Sequence, residues 1–594
     1  MKPEEKTRNF FVTICKTRCH EGMSRNRDVV FMVFFSYKEC DMALLDRTVH
    51  NIQTPLLPPV TDKISAGSLK RWAVWVLIAA GILFSGFSGP VWADDHDIRI
   101  ADGKGDWGYP TPFRHYPRGP GYIRMSWVFD TLVWKDQKGY VPGLAKDWAY
   151  DPQHLAFTFH LDPAALWHDG TPVTAHDVVF TLAYFQQHPY PWISIDAVDR
   201  AKALDDHTVT IYLSKPYAPF LSDIGGTMPV IPKHVWQKIT EPESCIDSAC
   251  MVGSGPYVFK DFDKTQGTYL FEAFEPYYQG TPKKQRLIYV RTSKALMSLV
   301  TGQADLANIQ PDMAASLEKK GLTVIENERG WNKKLMINHT RPPFDDRNFR
   351  QALAYAIDPQ EIIDKSHRGF GTPASYGLLS VDHEMYNPDT PDYPYNPEKA
   401  RQIMTDLGWT PGPDGVFHKD GHPLALELIA SNLTVAGESV SDRDGEIIAR
   451  QLRDIGIHVT LVNQEQTTTD SRVKNWDFDL AVSGHGGISG DPKVLNEMTA
   501  SIYGGGSVNS ARYDTCPELN ALMDAQMTEM DPEKRKRLVF EIQAVYAREL
   551  PAISLYYPVT LAAYNPDKGI EWFYTRGGIS KGVPIPQNKL ALIR

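Results

Sequence analysis

Apolar and polar positions alternate in several short stretches of this chain, with the period of two that an extended strand needs to present one face to a core. Leu155-Ala156-Phe157-Thr158-Phe159-His160-Leu161 and Thr208-Val209-Thr210-Ile211-Tyr212-Leu213 show it plainly, each after a polar turn, Asp151-Pro152-Gln153 and Asp205-Asp206-His207. Elsewhere the period lengthens to that of a helix. After the Pro342-Pro343 break, Asp345-Asp346 supplies a capping carboxylate for a helix running to Ile357, and Asp358-Pro359 starts a second one. Asp444 to Ile455 sets Ile447, Ile448, Leu452 and Ile455 at helical spacing. Gly456 stops that helix and Ile457 to Val462 reads as a strand, so the three make an α/β unit. Phe478 to Ser483 alternates again, a helix is predicted over 531–548, and Ala552 to Tyr557 closes the pattern as a strand. Strands and helices interleave to the end without an internal repeat, which predicts a mixed α/β architecture.

At 594 residues the chain is too long for one ordinary core, and two or three packed units are expected. With 42% hydrophobic and 23% charged residues it is neither disordered nor a polytopic membrane protein. Residues 1–93 hold 12 Lys/Arg and 8 Asp/Glu, leaving 50 against 64, a net of −14, for the rest. An acidic body argues against a nucleic-acid or anionic-membrane partner.

Residues 70–93 read as a secretory signal: Lys70-Arg71, an apolar run from Trp72 to Phe84, and the small-residue exit Val91-Trp92-Ala93. The run is shorter than the roughly 20 apolar residues of a spanning helix. An uncleaved anchor is the alternative, and no cysteine at the exit supports a lipid anchor. Residues 1–69 are an abnormal leader, and Met42 is a more natural start than Met1. Cys15, Cys19 and Cys40 fall in that leader, so the exported part holds Cys245, Cys250 and Cys516. In an oxidising compartment Cys245 and Cys250 can close a small loop, with Cys516 left over. Two sulfurs without paired histidines make a poor zinc set, and no metal site is expected.

Enzyme signatures are missing: no phosphate-cradling G-x-x-x-x-G-K-[ST], no H-E-x-x-H, no G-x-S-x-G and no C-x-x-C. Gly504-Gly505-Gly506 reads as a loop. Asp169, Asp177 and Asp491 sit beside Gly or Pro or at helix starts, where carboxylates serve turns and caps. His96, His115, His154, His168, His176 and His485 are scattered singly, a pattern of hydrogen-bonded rather than metal-ligating residues.

Longer blocks decide the class. Gly139-Tyr140-Val141-Pro142-Gly143-Leu144-Ala145-Lys146-Asp147-Trp148 and Trp167-His168-Asp169-Gly170-Thr171-Pro172-Val173-Thr174-Ala175-His176-Asp177-Val178-Val179-Phe180 are followed in order by Gly253-Ser254-Gly255-Pro256-Tyr257, Leu299 to Leu306, Pro343 to Asp358, Tyr395 to Ala400, Leu407-Gly408-Trp409 and Ala552 to Pro558. Through these, residues 97–594 resemble the family 5 extracellular solute-binding proteins, the oligopeptide, dipeptide and nickel-binder group. The resemblance implies a hinge-closing, two-lobe periplasmic binding protein of type II, the large class with an inserted subdomain. It divides the chain into lobe I (94–130, 230–332 and 546–594), an inserted subdomain (131–229) and lobe II (333–545). It also implies no catalytic residues and no cofactor, a monomer working with an inner-membrane ABC permease and its ATPase, and a peptide-like solute. A binder of the same fold for a sugar, opine or metal chelate, and an unrecognised enzyme, are the alternatives.

In the peptide binders that the chain resembles, an aspartate shortly before an Asp/Glu-Pro pair anchors the ligand's amino group. Here Phe478-Asp479-Leu480 leads through His485-Gly486-Gly487-Ile488-Ser489-Gly490 to Asp491-Pro492, and the matching position is Ile488. Either Asp491 substitutes for the anchor or the ligand has no free amino terminus, because a buried ammonium needs a paired charge. Nickel importers carry a histidine after that Asp-Pro, and this chain has Lys493. His485, Gly486 and Gly487 would face the ligand from one wall. The other wall is expected from Pro117-Arg118-Gly119-Pro120-Gly121-Tyr122, where Gly119 and Gly121 permit close main-chain approach, Tyr122 is polar, and Arg124 has forked donors suited to a carboxylate. Pairing of Arg118 and Arg124 with surface acids is the competing expectation.

Overall fold

The strand Ala156–Leu161 turns Phe157, Phe159 and Leu161 into the core and leaves His160 outside, as its alternation predicts. Each such burial is worth about 1.5–3 kcal/mol. In the computed structural model, which describes residues 96–594 other than 436–437, 441–442 and 505–506, this strand belongs to a four-stranded antiparallel sheet ordered Ala145–Asp151, Ala156–Leu161, Thr208–Leu213, Val198–Ala203. The leader, the signal segment, Cys15, Cys19, Cys40 and the Gly505-Gly506 part of the glycine run lie outside the described residues. The predicted helices form where their caps place them. Asp346 accepts from the Asn348 amide to start Arg347–Ala356, Asp358 accepts from Gln360 and Glu361 to start Pro359–His367, and Asp531 accepts from Lys534 to start Pro532–Glu549. Gly456, at φ 98°, ends Arg443–Asp454 before the strand His458–Gln464.

Two large sheets organise the rest. One has seven strands in the order Thr323–Glu326, Leu561–Tyr564, Leu306–Ile309, Asp97–Asp102, Arg286–Arg291, Thr268–Ala273, Tyr257–Asp263. The other has six, Gly371–Pro373, Ala552–Pro558, Trp331–Ile337, Leu480–Gly486, Ala425–Ser431, His458–Gln464. The first sheet and the four-stranded subdomain share one core, which includes Ile98, Trp127, Phe159, Tyr289 and Leu592. The second sheet packs beneath helices whose cores include Leu353, Ile448, Leu452, Ile542 and Tyr546. These are the two lobes of the expected α/β binding-protein fold. The chain passes between the sheets at 327–330 and again at 559–560, and the two passages are tied by the Asn327 amide donating to the Thr560 carbonyl at 3.0 Å. The sequence partition returns the chain to lobe I at 546, but Ala552–Pro558 pairs with Trp331–Ile337 in the second sheet. Only Leu561–Tyr564 joins the first sheet, because its neighbours there are Leu306–Ile309 and Thr323–Glu326. No described helix is long and apolar enough to cross a membrane.

Candidate functional site

The lobes meet along a polar junction. The loop after Leu480–Gly486 lies against residues 577–582 of the first lobe, backbone to backbone. Gly487 (φ +89°) donates its amide to the Gly330 carbonyl at 2.9 Å, and a Cβ on Gly582 (φ +83°) would stand 2.7 Å from the Gly487 carbonyl oxygen. That approach is closed to any other residue. Beside it Lys493 of the second lobe reaches Asp223 of the inserted subdomain, Nζ to Oδ2 2.6 Å, with both side chains buried. Lys493 also approaches Glu497 at 3.4 Å, while Lys581 bridges Glu497 at 3.0 Å and Asp223 at 3.9 Å. Burial opposes the charge on Lys493, but Asp223 outweighs it and holds the ammonium above its ordinary range. The Ala218 amide donates to the Met527 carbonyl at 2.8 Å and adds a further bond between the lobes. Lys493 is thus engaged at the junction between the lobes.

Several residues singled out by the sequence are committed elsewhere. Arg118 is the exception: it occupies the N-cap position of the helix Gly119–Val128 but makes no side-chain capping bond and is exposed, whereas the carbonyl that Gly121 admits is the protein's own, from Tyr116. Gly119 accommodates Val583 of the C-terminal segment. Tyr122 is buried, donates to the Thr227 carbonyl at 3.1 Å and stacks on Trp192. Arg124 is not available to a ligand carboxylate: it is 2% exposed, paired with Asp102, bonded to the Pro120 carbonyl at 2.9 Å and laid over Tyr289. Its acid partner, Asp102, has a side chain only 12% exposed and so is not a surface acid. Ile488 packs among Leu378, Leu379, Leu495 and Tyr557 in the second-lobe core. Asp491 accepts from Arg535 at 2.6 and 2.9 Å and from the Lys493 amide at 2.8 Å. Burial pushes its carboxyl up, Arg535 outweighs this, and it stays below its ordinary range. Asp491 therefore does not substitute for an amino anchor. Asp177 caps its helix as expected, accepting from the Thr174 amide at 2.9 Å. Cys245 and Cys250 form a disulfide and Cys516 is free.

His485 does stand at the junction. It is buried, its Nε2 has no hydrogen-bond partner, and burial together with Lys334 and Arg118 drives its pKa well below the ordinary range, so it is neutral. Its strand neighbour Asn332 and the next inward residue, Lys334, were not among the sequence candidates. Lys334 is 1% exposed, and burial lowers its pKa to about 7. A signal existed: in Trp331-Asn332-Lys333-Lys334-Leu335-Met336 both faces carry apolar residues, so one of the two adjacent lysines had to be enclosed. Among the described residues no group of three or more His, Cys, Asp or Glu is placed to hold a metal ion. A recess of about 580 Å³ lined by Ala500, Tyr503, Asp514 and Met523 belongs wholly to the second lobe.

Two α/β lobes joined by paired crossing segments, closed over a junction of glycines and buried charges, define a bilobal solute-binding protein. The model for bacterial extracellular solute-binding proteins, family 5 Middle, matches residues 139–507, and the chain belongs to this family. It is 29% identical over 466 residues to heme-binding protein A of Haemophilus influenzae, covering 72% of this chain and 80% of that one. It is 26% identical over 446 residues to the dipeptide-binding protein of Escherichia coli, covering 70% and 80%. The crystal structure of NikZ from Campylobacter jejuni in complex with Ni(L-His) superposes with a TM-score of 0.69 at 22% identity, covering 82% of this chain and 98% of that one.

Proposed function

We propose that the protein is the periplasmic binding component of an ABC importer, exported by a cleaved signal at 70–93. In this reading it closes as a monomer on a peptide-like solute and delivers it to an inner-membrane permease with its ATPase. The inserted subdomain, 131–229, would close with lobe I. The observation that carries the reading is the two-lobe body whose only passages between the sheets among the described residues, at 327–330 and 559–560, lie side by side as a hinge. The relative named as a dipeptide-binding protein supports the peptide-like ligand class. The protein does no chemistry on the solute in this reading. Lys334 and His485 have shifted pKa values, but neither bonds a carboxylate or a hydroxyl nucleophile that would make an acid–base pair. A non-peptide solute is the second reading, favoured by Ile488 in the core and Asp491 on Arg535.

The test is to strip the purified protein of carried-over ligand by unfolding and refolding, then follow thermal unfolding with free peptides, N-blocked peptides, sugars and nickel chelates. A ligand at a hundred times its Kd adds about 2.7 kcal/mol. Stabilisation by peptides or N-blocked peptides is expected. Stabilisation by sugars alone would replace peptide capture with the second reading.

A further inference from the structure

The inward face of the second sheet, at its edge toward the first lobe, is built of donors. Asn332 lies opposite His485, and Lys334 lies between Ser483 and Ser554 on the two flanking strands. Asn332 gives its amide hydrogen to Ser554 at 3.0 Å, which leaves its Oδ1 unpartnered. Lys334 donates to the Asn509 carbonyl at 2.6 Å and otherwise meets only the Met498 sulfur at 4.0 Å. The charged groups acting on His485 are Lys334 and, from the first lobe, the exposed Arg118. Among the described residues no carboxylate bears on either Lys334 or His485. Ser483 and Asn509, which border the cluster, are only half-buried, so solvent reaches its rim.

A buried ammonium is retained in proteins when something pairs with it, and here the described residues supply no anion. We propose that Lys334 and His485, faced by Arg118, receive a carboxylate of the captured solute, which supplies the missing counter-charge. This rests on the solute-binding reading and specifies its ligand: an acid, held by its carboxylate rather than by an amino-terminal anchor. Lys334 would donate to one carboxylate oxygen and His485, through Nε2, to the other, with Arg118 closing from the first lobe. Because burial keeps Lys334 partly deprotonated near neutral pH, a carboxylate that binds beside it draws in a proton.

The experiment uses the stripped full chain and matched probes: trialanine, N-acetyl-trialanine and trialanine amide; glutamyl dipeptides and their amides; gluconate and glucose. Calorimetry in two buffers of different ionisation enthalpy at pH 8 reads affinity and proton uptake together. Carboxylate-bearing probes are expected to bind about 10- to 100-fold more tightly than their neutral partners, with net proton uptake. Lys334→Met should erase that preference without lowering the melting temperature. A neutral partner that binds as well as its acid, binding without proton uptake, or a Lys334→Met variant that keeps the preference overturns the inference while leaving solute capture intact. Silence of every carboxylate probe overturns it too. Binding of gluconate, but no peptide, with loss in Lys334→Met would uphold the carboxylate site and sink the peptide-like reading instead.

Discussion

Replacing Lys493 by Met tests whether the ion pair to Asp223 holds the lobes shut. In the closed form the pair is buried, 11% and 1% exposed, at 2.6 Å. When the lobes part, both charges return to water, so the variant's cost falls on the closed form alone. Stranding one partner of a buried pair costs about 3–5 kcal/mol. Lys581, 3.9 Å from the other Asp223 oxygen, offsets part of this and leaves roughly 2–3 kcal/mol. At about 1.4 kcal/mol per tenfold, the closed population should fall by roughly 30- to 150-fold relative to the open one. Small-angle scattering should show a larger radius of gyration for Lys493→Met in the absence of ligand, and a solute that stabilises the wild type should bind more weakly by the same factor. Adding Asp223→Asn removes the stranded charge and should recover most of the loss. A single variant as compact as the wild type, or a double variant as open as the single one, would refute the reasoning.

Three further outcomes follow from the packing. Gly582→Ala forces a left-handed residue to carry a Cβ 2.7 Å from the Gly487 oxygen, and should cost about 1–2 kcal/mol in denaturant unfolding from the backbone alone. Asp444 is buried, and although burial raises its carboxyl, His367 and Lys333 bring it from 3.8 down to about 2. Its contribution of roughly 2 kcal/mol should be present above pH 3.8 and vanish as the pH falls through about 2; Asp444→Asn should flatten the stability profile across that window. Reducing Cys245–Cys250 opens a loop of sequence separation 5 and should lower unfolding stability by about 2 kcal/mol, read as a lower melting temperature in reductant.

Most of the framework was legible in the sequence because local signals and tertiary demands agree. Asp346, Asp358 and Asp531 cap the helices they announce, and the alternation of Phe157, Phe159 and Leu161 matches the buried face. The site was less legible because its partners are remote. Nothing near Arg124 announces that Asp102, 22 positions earlier, will take its guanidinium. Lys493 and Asp223 are 270 positions apart. Of Lys333 and Lys334, only pairing across the sheet decides which faces inward. The identity of Ile488 could be read, whereas its place in the second-lobe core required the fold.

The placement of the C-terminal strands has a consequence for how the molecule comes into being. Leu561–Tyr564 fills a slot between Leu306–Ile309 and Thr323–Glu326, and Ala552–Pro558 fills one between Gly371–Pro373 and Trp331–Ile337. A chain emerging amino end first therefore cannot complete either sheet until Ala552–Pro558 and Leu561–Tyr564 are free. Until then both lobes expose unpaired strand edges, which leaves the polypeptide loose and vulnerable to sticking to its neighbours. Loss of the chain from Ala552 onward would leave two unfinished sheets rather than one intact lobe and one damaged one.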